Sequence, residues 1–316
     1  MHSVHSLRGL VELIGPQLRL RWLTPPPAQD PPLNGQRGAQ SLVGSLNCIH
    51  PNRLQVLGRA EMAHLYALGK DAFTETVEHL FAAGPAAVIF SDGIEPPQVF
   101  FDLSQRCATP LLGTAISDDE VIDRLQHYLT YALAERTVVH GVFMQVLGMG
   151  VLLQGEPGIG KSELALELIA LGHRLIADDA PELARVGPEI LEGTCPPMLR
   201  DFLEVRGLGV LNIRAMFGED AVRERDTLKL VVTMRSFTGE ELTKVDRLRG
   251  SLSVKTLLGV PIPEVTLPVA PGRNLAVLLE TAVRSQTLRI RGYDAGVDLI
   301  ERQARAVDDV RRAVAP

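Results

Sequence analysis

The chain has 316 residues, 46% hydrophobic and 22% charged, the profile of a globular protein long enough for two cores. Its 32 basic and 38 acidic residues leave a net charge of −6, and only 4% are aromatic, so neither a polycationic nucleic-acid surface nor a base-stacking platform is implied. Cys48, Cys107 and Cys195 lie far apart and outside metal-ligand spacing, which predicts free thiols in a reducing compartment and no zinc or disulfide framework.

No run approaches the ~20 apolar residues that a membrane span needs. Arg8, Glu12 and Arg19 interrupt the first apolar stretch, so no secretory signal is read and a cytoplasmic location is expected. The Pro-rich stretch from Pro25 to Gly38 reads as a loop. From Ala60 to Ala83 apolar residues recur at helical spacing, with Leu65, Leu68, Phe73, Val77 and Leu80 as expected buried positions and Gly69 dividing two helices. Ala87 to Phe90 and Val99 to Phe101 read as short strands. Ser117 then reads as the N-cap of a helix running to about Ala134, with Glu120 at its third position.

After Glu135 the character changes. Thr137 to His140 and Gly148 to Leu153 read as strands, and Leu228 to Met234 and Glu264 to Val269 as two more. Helices are expected at Ser162–Leu171, with Leu164, Leu168 and Leu171 on one face and Gly172 as its αL cap, and at Leu275–Arg289. The expected organisation is α/β in two domains: residues 1–135, of unassigned role, and residues 136–316, which carry the chemistry.

That chemistry begins at Gly155-Glu156-Pro157-Gly158-Ile159-Gly160-Lys161-Ser162, a G-x-x-x-x-G-K-S run between a strand and a helix. Glycines let backbone N–H groups turn inward around a phosphate, and the helix N-terminus adds partial positive charge. Lys161 supplies a point charge, and the Ser162 hydroxyl is a Mg²⁺ ligand type. The loop predicts nucleotide or phosphate binding and does not by itself predict a reaction.

Phosphoryl transfer also needs carboxylates for metal and proton, and cations for transition-state charge. Asp178 and Asp179 end a short strand seventeen residues after Lys161, one helix and a return strand away. Successive side chains at a strand tip point to opposite sides, so the two should have different jobs. His140, at a strand end before Gly141, is either structural or an orienting group for a carboxylate or phosphate. Glu204 and Arg206 alternate with apolar residues before Gly207 and Gly209, and glycines inside a strand mark a bulge or a close approach. Glu204 is thus a candidate metal carboxylate or half of a surface ion pair. Arg273 precedes Asn274, a natural N-cap, while Arg247 and Arg249 look like surface charge.

Together these segments resemble the bifunctional HPr kinase/phosphorylase family. The resemblance is carried by Gly155 to Ser162, Gly172 to Asp179, Leu203 to Gly209, Pro271 to Ala276, Arg291-Gly292-Tyr293 and His140-Gly141, with Asn47 to Arg53 as a weaker match in the N-terminal half. It implies a catalytic domain whose phosphate loop sits on a sheet akin to that of phosphoenolpyruvate carboxykinase, a hexamer, and the protein HPr as partner. It also implies ATP and Mg²⁺, with inorganic phosphate as co-substrate in the reverse direction.

Carried over by position, His140, Lys161, Asp178, Asp179 and Arg247 are active-site groups, with Asp179 favoured as the base. Ser162 and Glu204 become Mg²⁺ ligands. Arg206, Gly207 and Gly209 fall in a segment used for catalysis, and Pro271, Gly272, Arg273 and Asn274 in one used chiefly for dephosphorylation. Ala270 stands where the family usually carries a basic residue, which predicts a weaker reverse reaction. The alternatives from other classes are a P-loop kinase for a small molecule and a nucleotide-sensing regulator without turnover.

Overall fold

The structure is a computed structural model that describes residues 6–31, 33, 42–47, 52–237, 252–270 and 272–314, with side chains to residue 306. Contacts within the chain divide it into two compact units, Met1–Ala134 and Glu135–Pro316.

The first unit is built on a five-stranded sheet in the order Arg21–Trp22, Leu111–Gly113, Ala87–Phe90, Leu54–Leu57, Val43–Ser45. The Arg21 edge is antiparallel and every other pair is parallel. Ala87–Phe90 and Leu54–Leu57 are buried at every position, as central parallel strands covered on both faces must be. Alternate side chains feed two cores. Leu54, Val56, Ile89 and Leu112 meet the helices Leu7–Leu18 and Asp118–Ala132. Leu57, Val88, Phe90 and Leu111 meet Arg59–Ala67, Lys70–Ala82 and Gln98–Cys107.

Val99 to Phe101, expected as a strand, forms the first turn of the helix Gln98–Cys107. Three consecutive apolar residues fit either periodicity, and long-range packing decides. Pro97 occupies the N-cap, and Phe100, Leu103 and Ser104 turn inward at helical spacing. The Phe100 ring meets Phe90 edge-on, with centroids 5.0 Å apart. Leu65, Val77 and Leu80 are buried as expected, but Leu68, at the C-cap beside Gly69, is 40% exposed. Ser117 holds the N-cap of a helix that ends at Ala132, although its side chain makes no capping bond.

The second unit centres on three parallel strands, Met149–Gly155, Arg225–Ser236 and Val260–Val269, with Arg225–Ser236 in the middle. Val142–Val146 runs antiparallel beside Met149–Gly155 through a two-residue turn in which Leu147 and Gly148 have φ of 50° and 80°. Two positive φ values match the turn twist that joins adjacent strands tightly. This strand went unread in the sequence, and His140 sits between it and Glu135–Val138 rather than on a strand. The helices Lys161–Ala170 and Leu275–Ile290 cover one face, where Leu164, Leu168, Leu230, Val232 and Leu279 share a core.

Leu171, expected on the buried face of its helix, is 56% exposed because it is the C-cap, and Ala165 and Ile169 take the inward positions. Gly172 (φ 92°) ends the helix. Its N–H bonds the Ile169 carbonyl and the His173 N–H bonds Leu168, the paired reverse bonds of a Schellman ending. His173 is then buried against Glu280, with Nε2 2.8 Å from Oε1. That contact ties the return strand Arg174–Ala177 to the helix Leu275–Ile290 and fixes where the following carboxylates emerge.

Candidate active site

The strand Met149–Gly155, beside the central Arg225–Ser236, delivers the phosphate loop. Gly155, Gly158 and Gly160 have φ of 151°, 79° and 100°, conformations that L side chains disfavour. At Gly155 space is also closed: a Cβ would lie 2.6 Å from the Met234 carbonyl of the neighbouring strand. Lys161, 9% exposed, begins the helix, and its Nζ donates to the carbonyls of Gly155 (3.0 Å) and Glu156 (3.2 Å). The ammonium is thereby held beneath the loop before any phosphate arrives.

A cleft of about 280 Å³ opens over this loop, and four stretches of chain line it. Pro157, Gly158, Gly160, Lys161, Ser162 and Glu163 form its floor; His140 and Gly141, Asp178 and Asp179, and Glu204 and Arg206 form its walls. Four of the separated segments of the sequence thus converge on one cavity. Within the loop, Gly155 and Glu156 contribute carbonyls to Lys161, and Ile159 packs against the core instead of the cleft.

Asp178 and Asp179 differ as the strand-tip geometry predicts. Asp178 is half-buried, and its Oδ2 accepts the Glu204 N–H at 2.9 Å, which ties the Phe202–Val205 strand to the cleft. Burial pushes its carboxyl above the ordinary range, against the lowering effect of the backbone N–H groups of Glu204 and Asp179. Asp179 is exposed, has φ 64°, and places Oδ1 2.9 Å from His140 Nδ1. Its own carbonyl accepts the Gly141 N–H at 3.2 Å. The imidazole therefore orients an accessible carboxylate.

The raised position of Asp178 has a stability consequence. The folded state favours the neutral acid, so its contribution is complete below the ordinary carboxylate range and is lost as pH rises through the folded value. Asp178→Asn keeps an acceptor for the Glu204 N–H and removes the buried charge. Its thermal midpoint should exceed wild type at pH 7 by a few degrees, and the gap should close near pH 3. A gap that is equal at both pH values would contradict the assignment.

Gly207 and Gly209 make a turn, not the expected bulge within a strand. Phe202–Val205 and Gly209–Asn212 form a hairpin, the two glycines have φ of 85° and 82°, and the Leu208 N–H bonds Val205. Neither glycine lines the cleft; they project Arg206, whose Nη1 lies 3.3 Å from where a Gly158 Cβ would stand. A guanidinium over the phosphate loop is the cation that transfer chemistry asks for. Ser162 and Glu204 both face the cleft, a hydroxyl and a carboxylate of the kind that hold Mg²⁺ together with substrate phosphates. Among the described residues, no group of three or more His, Cys, Asp or Glu side chains is arranged to hold a metal.

Gly272, Arg273 and Asn274 do not line the cleft. Gly272 has φ 79°, Arg273 is exposed, and Asn274 caps the helix Leu275–Ile290 by accepting the Val277 N–H at 3.0 Å. Arg247 and Pro271 lie outside the described residues, as does Cys48. Cys107 and Cys195 are free thiols. Burial pushes the Cys195 thiol up to about 11, so it is no nucleophile at neutral pH.

Two cleft residues, Glu163 and Gly141, carry no role assigned from the sequence, although Gly141 is part of the His140-Gly141 match. Glu163 stands in the first helical turn beside Ser162. Gly141 has φ 152°, and a Cβ there would lie 2.3 Å from the Leu153 carbonyl. The signal was a glycine directly after His140, which marks a close backbone approach.

The chain matches the model of the HPr Serine kinase C-terminal domain over residues 131–303 and that of the HPr Serine kinase N terminus over residues 13–129. It belongs to the HPr serine kinase family. The HPr kinase/phosphorylase of Chromobacterium violaceum is 43% identical over 310 residues, covering 98% of both chains. That of Bordetella petrii is 48% identical over 269 residues, covering 85% of this chain and 87% of the other. The solved Hpr(Ser) kinase/phosphatase of Coxiella burnetii is 34% identical, with a TM-score of 0.47, over 52% of this chain and 98% of that one. The motif-borne resemblance is therefore a true family relationship, and it extends into the first unit. Among the described residues, no helix is long and apolar enough to cross a membrane.

Proposed function

We propose that this chain phosphorylates a serine of the phosphocarrier protein HPr with ATP and, in reverse, removes that phosphate onto inorganic phosphate to give pyrophosphate. The supporting observation is the His140–Asp179 pair, which shares one cleft with Lys161, Ser162 and the phosphate loop. In the forward direction Lys161 and the loop amides hold the β/γ-phosphates, and Asp179 takes the seryl proton as the serine oxygen attacks the γ-phosphorus. ADP leaves. In reverse, hydrogen phosphate attacks the phosphoserine phosphorus, protonated Asp179 gives its proton to the departing serine oxygen, and the proton of the attacking phosphate restores it. Serine and pyrophosphate are the products. Arg206, and Arg247 by family position, supply positive charge to the transferring group.

Ser162 and Glu204 would hold Mg²⁺. Bound there with nucleotide, the ion supplies charge neutralisation on the phosphates. Because one loop receives both ATP and phosphate, their relative concentrations set the direction, which makes the enzyme a sensor in carbon regulation. The catalytic role belongs to residues 136–316, in a phosphate-loop domain akin to that of phosphoenolpyruvate carboxykinase. The working form is a cytoplasmic homo-hexamer, to be checked by sedimentation.

Purified protein with labelled ATP, Mg²⁺ and HPr tests the reading. Label on an HPr serine, released as pyrophosphate on adding phosphate, supports it. Label only on small metabolites, or binding without transfer, refutes it. Ala270 lies within the stretch that leads to Gly272 and Arg273, where the family usually places a basic residue. Ala270→Arg should raise phosphorolysis by about 2- to 10-fold, the scale of one added cation beside a phosphoryl group, and leave the forward rate within twofold. Initial rates of pyrophosphate release would read this, and an unchanged rate would remove Ala270 as the cause of a weak reverse reaction.

A further inference from the structure

A chain of side-chain bonds reaches the His140–Asp179 pair from behind the cleft. The peptide between His140 and Gly141 is fastened at both ends. Its carbonyl accepts Gln154 Nε2 at 3.0 Å, and its N–H donates to the Asp179 carbonyl at 3.2 Å. Gln154 in turn accepts from Lys255 Nζ through Oε1. Gln154 lies on the strand Met149–Gly155, directly before the phosphate loop, and Lys255 on the outer strand Leu252–Leu257. Both are half-buried.

The chemistry fixes the direction of this chain. An ammonium donates only, so Gln154 must turn its oxygen to Lys255 and its NH₂ to the His140 carbonyl. Lys255 thus selects one of the two amide orientations. The selected one pins the peptide from which the imidazole projects. The backbone at Gly141 also passes close to the Leu153 carbonyl, which lies 2.3 Å from where a Cβ would stand.

We infer that Gln154, oriented by Lys255, is the positioning residue that holds the His140 imidazole on Asp179. The inference rests on the reading of Asp179 as the base. Gln154 touches neither substrate nor reacting atoms; it acts through His140. Misplacing a catalytic group by a fraction of an ångström lowers the rate while leaving ground-state nucleotide binding intact.

Three variants and two readouts test this. Gln154→Ala and Lys255→Met should each lower kcat about 10-fold in both directions, with KM for ATP within about twofold. Gln154→Glu keeps an acceptor for Lys255 but sets a carboxylate oxygen against the His140 carbonyl, and it should fall as far as Gln154→Ala. In a His140→Ala background, Gln154→Ala should cost less than about twofold, because positioning has lost its object. Additive losses would mean that Gln154 acts by general stability and would overturn the inference. Spectra of ¹⁵N-histidine-labelled protein without substrates form an independent arm. The His140 ring signals should shift or broaden in Gln154→Ala and Lys255→Met, and unchanged signals would overturn the inference. Should wild type fail to label HPr, the proposed function falls, while the ring spectra still decide the positioning role. Should Gln154→Ala misfold, Lys255→Met, altered further from the core, carries the same test.

Discussion

Lys161→Ala is expected to abolish transfer in both directions, with losses of at least about 10²- to 10³-fold, the scale for removing one preorganised group from a site of developing charge. The ammonium is nearly buried and is fastened to the carbonyls of Gly155 and Glu156. It therefore serves two ends: it closes the loop into its cradle and offers positive charge to whatever phosphate enters. Both ATP and inorganic phosphate need that charge in the proposed scheme, so the two losses should be of similar size. Lys161→Met restores most of the side-chain volume and should not restore rate. Parallel assays of HPr labelling and pyrophosphate release check this. Retained phosphorolysis in Lys161→Ala would mean that phosphate has a seat of its own, and the shared-site mechanism would be wrong.

The residues that were legible in the sequence are those whose chemistry is local. The Gly155–Ser162 loop announces itself because positive φ and an anchored lysine are demanded within eight consecutive residues. Asp178 and Asp179 were legible as a pair with divided labour because a strand tip separates neighbours by rule, and burial then falls on Asp178 alone. The central strands Leu54–Leu57 and Ala87–Phe90 were visible or hidden according to composition. Ala87 to Phe90 is uniformly apolar, whereas Gln55 interrupts the other, fully buried all the same.

What escaped depends on partners far away in the chain. Val99 to Phe101 is helical because Phe100 packs on Phe73, Phe81 and Phe90, three rings from two other elements. Val142–Val146 went unread because its pairing is set by a two-residue turn with a leucine at positive φ, which carries no Asn-Gly or Asp-Gly signal. Gly207 and Gly209 were seen as interruptions, and only the register of Phe202 with Asn212 shows that they turn a hairpin. The bond from Lys255 through Gln154 to His140 spans 101 and then 14 residues of sequence, and no local pattern encodes it.

Asp179→Asn should reduce serine phosphorylation by about 10²- to 10⁴-fold, the range for loss of a general base, without weakening ATP binding. The substitution is nearly isosteric, and its amide oxygen can still accept from His140 Nδ1, so the pair at 2.9 Å survives in outline. What disappears is the capacity to take a proton. Reverse transfer should fall with it, because the same group must protonate the departing serine oxygen. Nucleotide affinity rests on Lys161 and the loop and should stay within about twofold by calorimetry. Asp178→Asn is the discriminating partner. Asp178 is committed to the Glu204 N–H, and its carboxyl is raised by burial. Asp178→Asn keeps that acceptor, so Glu204 keeps its place and the rate should fall by less than about 10-fold, far short of the loss of a general base. If instead Asp179→Asn retains near-normal rates while Asp178→Asn is inert at any Mg²⁺ concentration, the base is Asp178. The His140–Asp179 pair would then be a structural clasp across the mouth of the cleft.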